Sequence, residues 1–171
     1  MLAVVVLFFG GCVAIIGSIG SSIESASKSN EPSSGSHPSE SAPANGIGQE
    51  VRDGKFAFTV TNVQRAPTAG TATARGEFVI VTMTVKNTGN QPQSFFSNNQ
   101  KLFDTAGREY ASDSTADSAL NSDSGDSMVI DLNPGFDLTA KVAFDVPPGT
   151  QVAGITVHDS AFSGGAKISL S

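Results

Sequence analysis

Five aspartates lie close together in one stretch of the chain and raise the question of a metal site. They fall within nineteen positions: Asp113, Asp117, Asp123, Asp126 and Asp131. Hard cations such as Ca²⁺ prefer several carboxylate or carbonyl oxygens in a flexible loop. The stretch misses the calcium-loop pattern, because Gly125 takes the fifth place, where an oxygen ligand belongs, and no Glu follows at the twelfth. A solvated, self-repelling surface loop is therefore favoured, and a cation site formed by Asp113, Asp117, Asp123 and Asp126 is the alternative.

Histidine chemistry in the region after Gly48 depends on a single residue, His158, in "ITVHDSAF". A hydrolase that pairs a serine with His158 is one hypothesis, but serines are so common here that such a set can always be drawn. No Gly-x-Ser-x-Gly elbow, phosphate-binding loop or second histidine for zinc is present in this region. We favour a strand-end histidine bonded by Asp159 or by the backbone, and expect no enzyme activity and no cofactor.

The elements that would position these residues show a period of two. Phe56, Phe58 and Val60 alternate with smaller or polar residues, and "VIVTMTV" repeats the pattern from Val79 to Val85. In "FDLTAKVAFDV" the apolar set runs from Phe136 to Val146 at every second position. Such alternation is typical of antiparallel strands with one buried face and one solvated face. The outer face of the second strand is apolar only at its start, at Phe78 and Ile80.

Turn sequences separate the predicted strands. The segment 87–90 (NTGN) ends one strand, 104–107 (DTAG) has the Asp and Gly of a type I turn, and 147–149 (PPG) precedes another strand. The segment 114–127 is the only candidate for a short helix, and its Ser, Asp and Gly content favours a loop. Seven or eight short strands joined in this way predict an antiparallel β-sandwich.

Charge excludes some partners of the predicted domain. The region from Gly48 onward carries thirteen acidic and nine basic residues, a net charge of −4. An acidic domain repels phosphate backbones, so we expect no nucleic-acid partner. The single cysteine of the chain, Cys12, lies before this region, so no disulfide can form within the domain.

The N-terminal part of the chain predicts a membrane segment and a linker. Residues 2–19 contain no charged side chain, and a helix of this length would span about 27 Å of hydrocarbon. A retained transmembrane helix over 1–20 is favoured, with a cleaved signal or a lipoprotein signal at Cys12 as alternatives. No Lys or Arg precedes Leu2, so the true start could lie upstream of Met1. The segment 21–47 is rich in Ser, Pro and Gly and is predicted to be disordered.

Four phrases in the predicted domain resemble one protein family. "GEFVIVTMTVKNTGNQPQSF", "NQKLFDTAGREY", "LNPG" and "AFDVPPGT" are similar, in order and spacing, to the family catalogued as domain of unknown function 4352. The resemblance covers Gly48 to Ser171. It implies an immunoglobulin-like sandwich, related to a secreted mycobacterial immunogenic protein, in a family whose members are secreted or anchored by one helix. It implies no catalytic residue, because the family has no established reaction.

These observations predict three parts: a transmembrane helix (1–20), a disordered linker (21–47) and an immunoglobulin-like antiparallel β-sandwich (48–171). We expect a single-pass protein whose domain lies outside the cytoplasm and binds an unknown envelope or protein partner, or has a structural role. An envelope hydrolase and a cation-responsive surface domain are the alternatives.

Overall fold

A computed structural model describes residues 45–122 and 129–171, and these residues form an antiparallel β structure. Their elements are β1 (Glu50–Asp53), β2 (Phe56–Ala69), β3 (Ala72–Asn87), β4 (Gln93–Phe96), a short 3₁₀ helix (Ser97–Asn99), β5 (Lys101–Asp104), β6 (Glu109–Ala111), α1 (Ser114–Asn121), β7 (Val129–Leu132), β8 (Asp137–Val146), β9 (Val152–Val157) and β10 (Ala166–Ser169). The first sheet has the order β1-β2-β3-β8 and the second has the order β10-β9-β5-β6, while β4 and β7 form a two-stranded ribbon. The predicted all-β, antiparallel sandwich-like class is confirmed.

The core lies between the sheets and contains the predicted inward faces. Phe56, Phe58 and Val60 of β2 are at most 1% exposed, and the alternate residues of β3 from Val79 to Val85 are equally buried. Phe95, carried in by β4, packs edge-on against Phe56 with ring centroids 6.3 Å apart. Each fully buried side chain of this size stabilises the fold by about 1.5–3 kcal/mol. The alternation in the sequence therefore identified most of this core.

Phe136 corrects the prediction for the following strand. We expected it to begin the inward face that continues through Val146, yet its side chain is 67% exposed and β8 begins one residue later. The backbone turns just before the strand, where the Phe136 amide bonds to the Asn133 carbonyl (3.1 Å) and Gly135 has φ +82°. This turn takes residue 136 out of the pleat, so the alternating pattern overran the strand by one position.

The segment predicted to be a loop contains the helix α1, which is a second correction. The Asp113 carboxylate accepts hydrogen bonds from the Thr115 and Ala116 amides, each 3.0 Å long, and so caps the helix. Ala116 is fully buried with Phe78 and Ile80, the apolar residues on the outer face of β3. Contact with the sheet overrides the weak helix propensity of Ser and Asp.

The predicted turns lie where the sequence placed them. β3 ends at Asn87, and β5 and β6 are joined by a turn in which the Gly107 amide bonds to the Asp104 carbonyl (3.0 Å). The Thr150 amide bonds to the Pro147 carbonyl (3.2 Å) between β8 and β9. Asn87 is fully buried, and its side chain ties the end of β3 to the carbonyls of Gln91 and Leu132.

Residues 1–44 lie outside the described part of the chain, so the transmembrane helix and most of the linker stay predictions. In the ranges 45–122 and 129–171, no helix is both long and apolar enough to span a bilayer.

Candidate functional site

A polar cleft opens on the outer face of the second sheet, and the strand register builds its floor. Leu102, Ile155 and Ile168 are paired across β5, β9 and β10 and all point into the core. Their neighbours Lys101, Thr156 and Lys167 form the adjacent row and therefore point outward. The two lysines flank Thr156, and their Cα atoms lie two strand spacings apart, about 10 Å. Thr156 is 8% exposed and forms the floor of the cleft.

Two connecting segments wall the cleft, which has a volume of about 400 Å³. One wall is the 3₁₀ helix, which contributes Asn98 and Asn99, and another is the β9–β10 loop, which contributes Ala161 and Gly164. Glu109 of β6 also lines the cleft. Residues from four strands and two connections thus converge on one polar space.

His158 stands at the end of β9 and lines the same cleft. The Gln100 side chain fixes its backbone, accepting from the His158 amide (2.8 Å) and donating to the His158 carbonyl (3.1 Å). The imidazole packs against Gly165, where an added Cβ would lie 2.6 Å from Nε2. Within the described residues the buried Nδ1 atom has no hydrogen-bond partner. The Gln100 side chain therefore fixes the strand end through the backbone of His158, and neither hydrogen bond involves the imidazole ring.

Asp159 was the other expected partner of His158, and its hydrogen bonds lie elsewhere. Its carboxylate accepts from the Lys55 amide (3.3 Å), and its own amide donates to the Asp53 carboxylate (2.7 Å). These bonds attach the start of the β9–β10 loop to the β1–β2 turn. Asp159 therefore positions the loop that walls the cleft.

An aromatic ring beside the cleft holds one of its lysines. The Phe103 ring lies over Gly154, where an added Cβ would come within 2.4 Å of Cζ, so only glycine leaves room for it. The Lys167 ammonium lies over this ring, 5.5 Å from the centroid. This contact orients the Lys167 side chain along the face of the second sheet.

The aspartates of the acidic stretch do not come together in the described residues. One caps a helix, one is buried, and two lie outside the described part of the chain. Asp113 caps α1, and Asp117 is 1% exposed with Oδ1 accepting from the Ala143 amide (2.7 Å). Asp123 and Asp126 lie outside the described residues. In the described ranges no three His, Cys, Asp or Glu side chains are grouped to hold a metal ion. The four-aspartate cation site stays a prediction.

Burial raises the pKa of Asp117 to about 6, against the opposing effects of the Ala143 amide and the nearby Ser97 and Ser112 hydroxyls. These hydroxyls lie close enough to favour the charged form, yet neither hydroxyl oxygen nor Asp117 Oδ2 has a hydrogen bond of good geometry within the described residues. We regard the three oxygens as a poorly satisfied polar group under α1, which explains why burial prevails.

Asp117 and Asn121 also close the free edge of β8, the last strand of the first sheet. Asn121 accepts from the Lys141 amide (3.1 Å) and donates to the Lys141 carbonyl (2.9 Å), while Asp117 binds the Ala143 amide. The Asp113 amide donates to the Ala143 carbonyl (2.8 Å). These contacts replace a neighbouring strand and protect the edge from pairing with another chain.

Fold and site together define an antiparallel β-sandwich-like domain with a polar cleft on one sheet. The chain belongs to the family described as Domain of unknown function (DUF4352), whose model matches residues 45–168. The resemblance found in the sequence is therefore confirmed. None of the curated proteins matches the chain.

Two solved structures match the chain, and the first of them is similar in fold. The yjhA protein from Bacillus subtilis is 17% identical, with a TM-score of 0.57 over 74% of this chain and 99% of that one. A secreted protein from Mycobacterium tuberculosis, MPT63, is 13% identical, with a TM-score of 0.49 over 75% of this chain and 96% of that one.

Sequence reasoning missed the cleft. Lys101, Thr156 and Lys167 are far apart in the chain and stand in no recognisable motif. The available signal was weak: each is an outward residue beside an inward apolar one. Their convergence depends on the register of three strands.

Proposed function

We propose that the chain is a tethered extracytoplasmic binding domain without catalytic activity, with an immunoglobulin-like sandwich as its scaffold. The observation that carries the proposal is the polar cleft on the second sheet. Its floor comes from paired strands, and its walls are held by the Gln100 and Asp159 hydrogen bonds. A site of this size on a rigid surface suits the recognition of a small ligand or of a polymer end.

The arrangement around His158 supports binding over hydrolysis. A general base in a serine hydrolase uses one ring nitrogen on the nucleophile, while a carboxylate on the other nitrogen holds the tautomer. Here the nearest carboxylate in sequence, Asp159, bonds the Lys55 amide, and Nδ1 has no partner among the described residues.

The proposed location rests on the sequence. Residues 2–19 carry no charge and suit a membrane anchor, and the polar segment after them suits a tether that holds the domain away from the bilayer. Protease added to intact cells expressing the full chain should release a fragment that contains residues 45–171. Survival of the uncut chain, with cleavage only after lysis, would place the domain inside.

Substitution of His158 distinguishes a binding domain from a hydrolase. In His158→Ala a binding domain keeps its fold and still recovers its partner, in reduced yield because His158 lines the cleft, as measured by pull-down of the crosslinked protein from its own envelope. A hydrolase would lose turnover of its substrate in the same variant.

A further inference from the structure

We propose that the 3₁₀ helix couples the buried carboxylate of Asp117 to the cleft, so that gain or loss of the Asp117 proton moves one wall of the binding site. The coupling regulates the cleft, and its importance rests on the proposed function because a moving wall matters only if the cleft binds a ligand. Three features of the described residues carry it: the 3₁₀ helix contacts both places, its far end is fixed, and the oxygens under α1 are poorly satisfied.

Three consecutive residues link the two places. Ser97, the first residue of the 3₁₀ helix, is 4% exposed, and its hydroxyl lies close enough to Asp117 to favour the charged carboxylate. The next two residues, Asn98 and Asn99, line the cleft. A displacement of Ser97 therefore reaches a wall of the cleft through rigid peptide units of the same short helix.

The far end of the 3₁₀ helix is held in place. The fully buried Gln100 side chain accepts from the His158 amide (2.8 Å) and donates to the carbonyls of His158 (3.1 Å) and Phe96 (3.0 Å). The Gln100 amide donates to the Ser97 carbonyl (3.1 Å). Because Gln100 is anchored to the end of β9, we expect a pull on Ser97 to tilt the peptide between Asn98 and Asn99.

The pull comes from the charge on Asp117. Its Oδ1 accepts from the Ala143 amide, whereas Oδ2 and the hydroxyls of Ser97 and Ser112 have no hydrogen bond of good geometry among the described residues. A hydrogen bond to an ionised carboxylate is roughly twice as strong as one between neutral groups. Ionisation of Asp117 therefore draws the Ser97 hydroxyl towards Oδ2.

Both protonation states of Asp117 are populated in weakly acidic solution, because burial raises the pKa of Asp117 to about 6. The Asp113 carboxylate at the helix cap also raises this pKa, while the Ala143 amide and the hydroxyls of Ser97 and Ser112 oppose the rise. The carboxylate thus gains its charge as pH rises through about 6, in the range where the wall is expected to move.

The other charged groups on the elements around α1 are exposed or paired. Lys141 of β8 is exposed, and Arg75 of β3 forms an ion pair with Asp145. The remaining side chains that pack against α1 from β2, β3 and β8 are apolar: Ala69, Phe78, Ile80 and Ala143. Ser97 is the residue through which the 3₁₀ helix meets Asp117.

The test is a pH titration, from pH 4.5 to 8, of the isotopically labelled full chain in non-ionic detergent, followed by amide NMR. Every sample carries His158→Gln, which removes the imidazole that lines the cleft. We expect the Asn98 and Asn99 amides to shift with a midpoint near pH 6, in step with the Ala143 amide, which binds Asp117 directly. The Thr156 amide, held between paired strands in the floor of the cleft, should stay unchanged.

Three substitutions in that background separate the steps. Asp117→Asn removes the titrating group and should abolish the shifts of Asn98, Asn99 and Ala143 together. Ser97→Ala removes the hydroxyl that transmits the pull, so the Asn98 and Asn99 shifts should be lost while the Ala143 shift remains. Ser112→Ala is the matched control, because it removes an equivalent hydroxyl outside the 3₁₀ helix and should keep all three shifts.

Asn98 and Asn99 shifts that persist in Asp117→Asn or in Ser97→Ala would overturn the coupling. Unchanged Asn98 and Asn99 amides beside a titrating Ala143 amide would do the same, and so would an Ala143 amide that does not titrate, since Asp117 would then keep one charge state throughout. None of these results bears on whether the cleft binds. Failure to recover any partner in the envelope pull-down would overturn the proposed function while leaving the coupling intact.

Discussion

Replacing Asp117 with Asn should stabilise the domain at neutral pH, although it removes a buried and hydrogen-bonded carboxylate. Asn keeps the oxygen that accepts from the Ala143 amide. Its new amide group can donate to the hydroxyls of Ser97 and Ser112, which have no partner of good geometry among the described residues. The variant therefore preserves the anchor of α1 while removing the charge that burial disfavours.

The magnitude follows from the pKa of Asp117, which is about 6 in the fold and 3.8 as the reference. The folded state binds this proton more tightly, so the contribution of Asp117 to stability is fully present below pH ~4 and is lost as pH rises through ~6. At about 1.4 kcal/mol per pH unit, the full loss is roughly 3 kcal/mol. Removing a negative charge from the first turn of α1 costs about 0.3–1 kcal/mol, because the helix dipole favours it. A net gain of about 2 kcal/mol is therefore expected at pH 8.

The assay is urea unfolding of residues 45–171, followed by circular dichroism because the chain has no tryptophan. Wild type should lose stability between pH 4 and 6, whereas Asp117→Asn should show a flatter profile in that window. Asp113→Asn is the matched control: it makes the same chemical change at the cap, where Asn serves as well as Asp, and should shift stability little.

The titration of Asp104 does not overlap the pH 4–6 range in which Asp117 titrates. Burial alone would raise its pKa, but hydrogen bonds from Arg108, Tyr110 and the Ala106 amide prevail and lower it to about 2. Its stabilising contribution is therefore lost only as pH falls from ~4 to ~2. A wild-type profile that is flat from pH 4 to 7, or an Asp117→Asn domain less stable than wild type at pH 8, would refute the reasoning.

Two further substitutions test the contacts of Asn121 with the edge of β8 and the β9–β10 loop beside the cleft. Asn121→Ala leaves the Lys141 amide and carbonyl without their side-chain partner; we expect a loss of about 1–2 kcal/mol in urea unfolding and concentration-dependent light scattering from exposed-edge pairing. Gly165→Ala should cost about 1–3 kcal/mol, because φ is +71° and the new methyl group would strike the His158 ring. Gly164→Ala is the control, because a Cβ there meets open space, and it should leave the urea midpoint of unfolding unchanged. Equal losses of stability in the two variants would contradict this account.

The core was predictable from sequence because a period of two reports directly on burial. Val79 to Val85 alternated cleanly, and the alternate residues are buried. The predicted burial of Phe136 was wrong because alternation cannot show where a turn takes the chain out of the strand. The loop prediction for the segment that contains α1 was wrong for a related reason. The capping role of Asp113 and the packing of α1 over Phe78 become visible only when the strands are assembled.

Clean alternation carries no information about register, and that limits what sequence can say about the site. Lys101, Thr156 and Lys167 become neighbours only because Leu102, Ile155 and Ile168 align in the core. A shift of one residue in any of these strands would turn its polar side chain inward, at a cost that burial makes prohibitive. The hydrophobic pattern thus fixes the position of the lysines as firmly as it fixes the core.

The placement of the cleft also follows from how the two sheets are covered. On the first sheet, α1 packs over Phe78 and Ile80, and its polar side chains close the edge of β8. That outer face is therefore occupied by the chain itself. The second sheet has no apolar residues of this kind in its central outward row, where Lys101, Thr156 and Lys167 stand, so nothing drives a helix onto it. Among the described residues, the second sheet is therefore the one whose outer face carries the cleft and no packed helix.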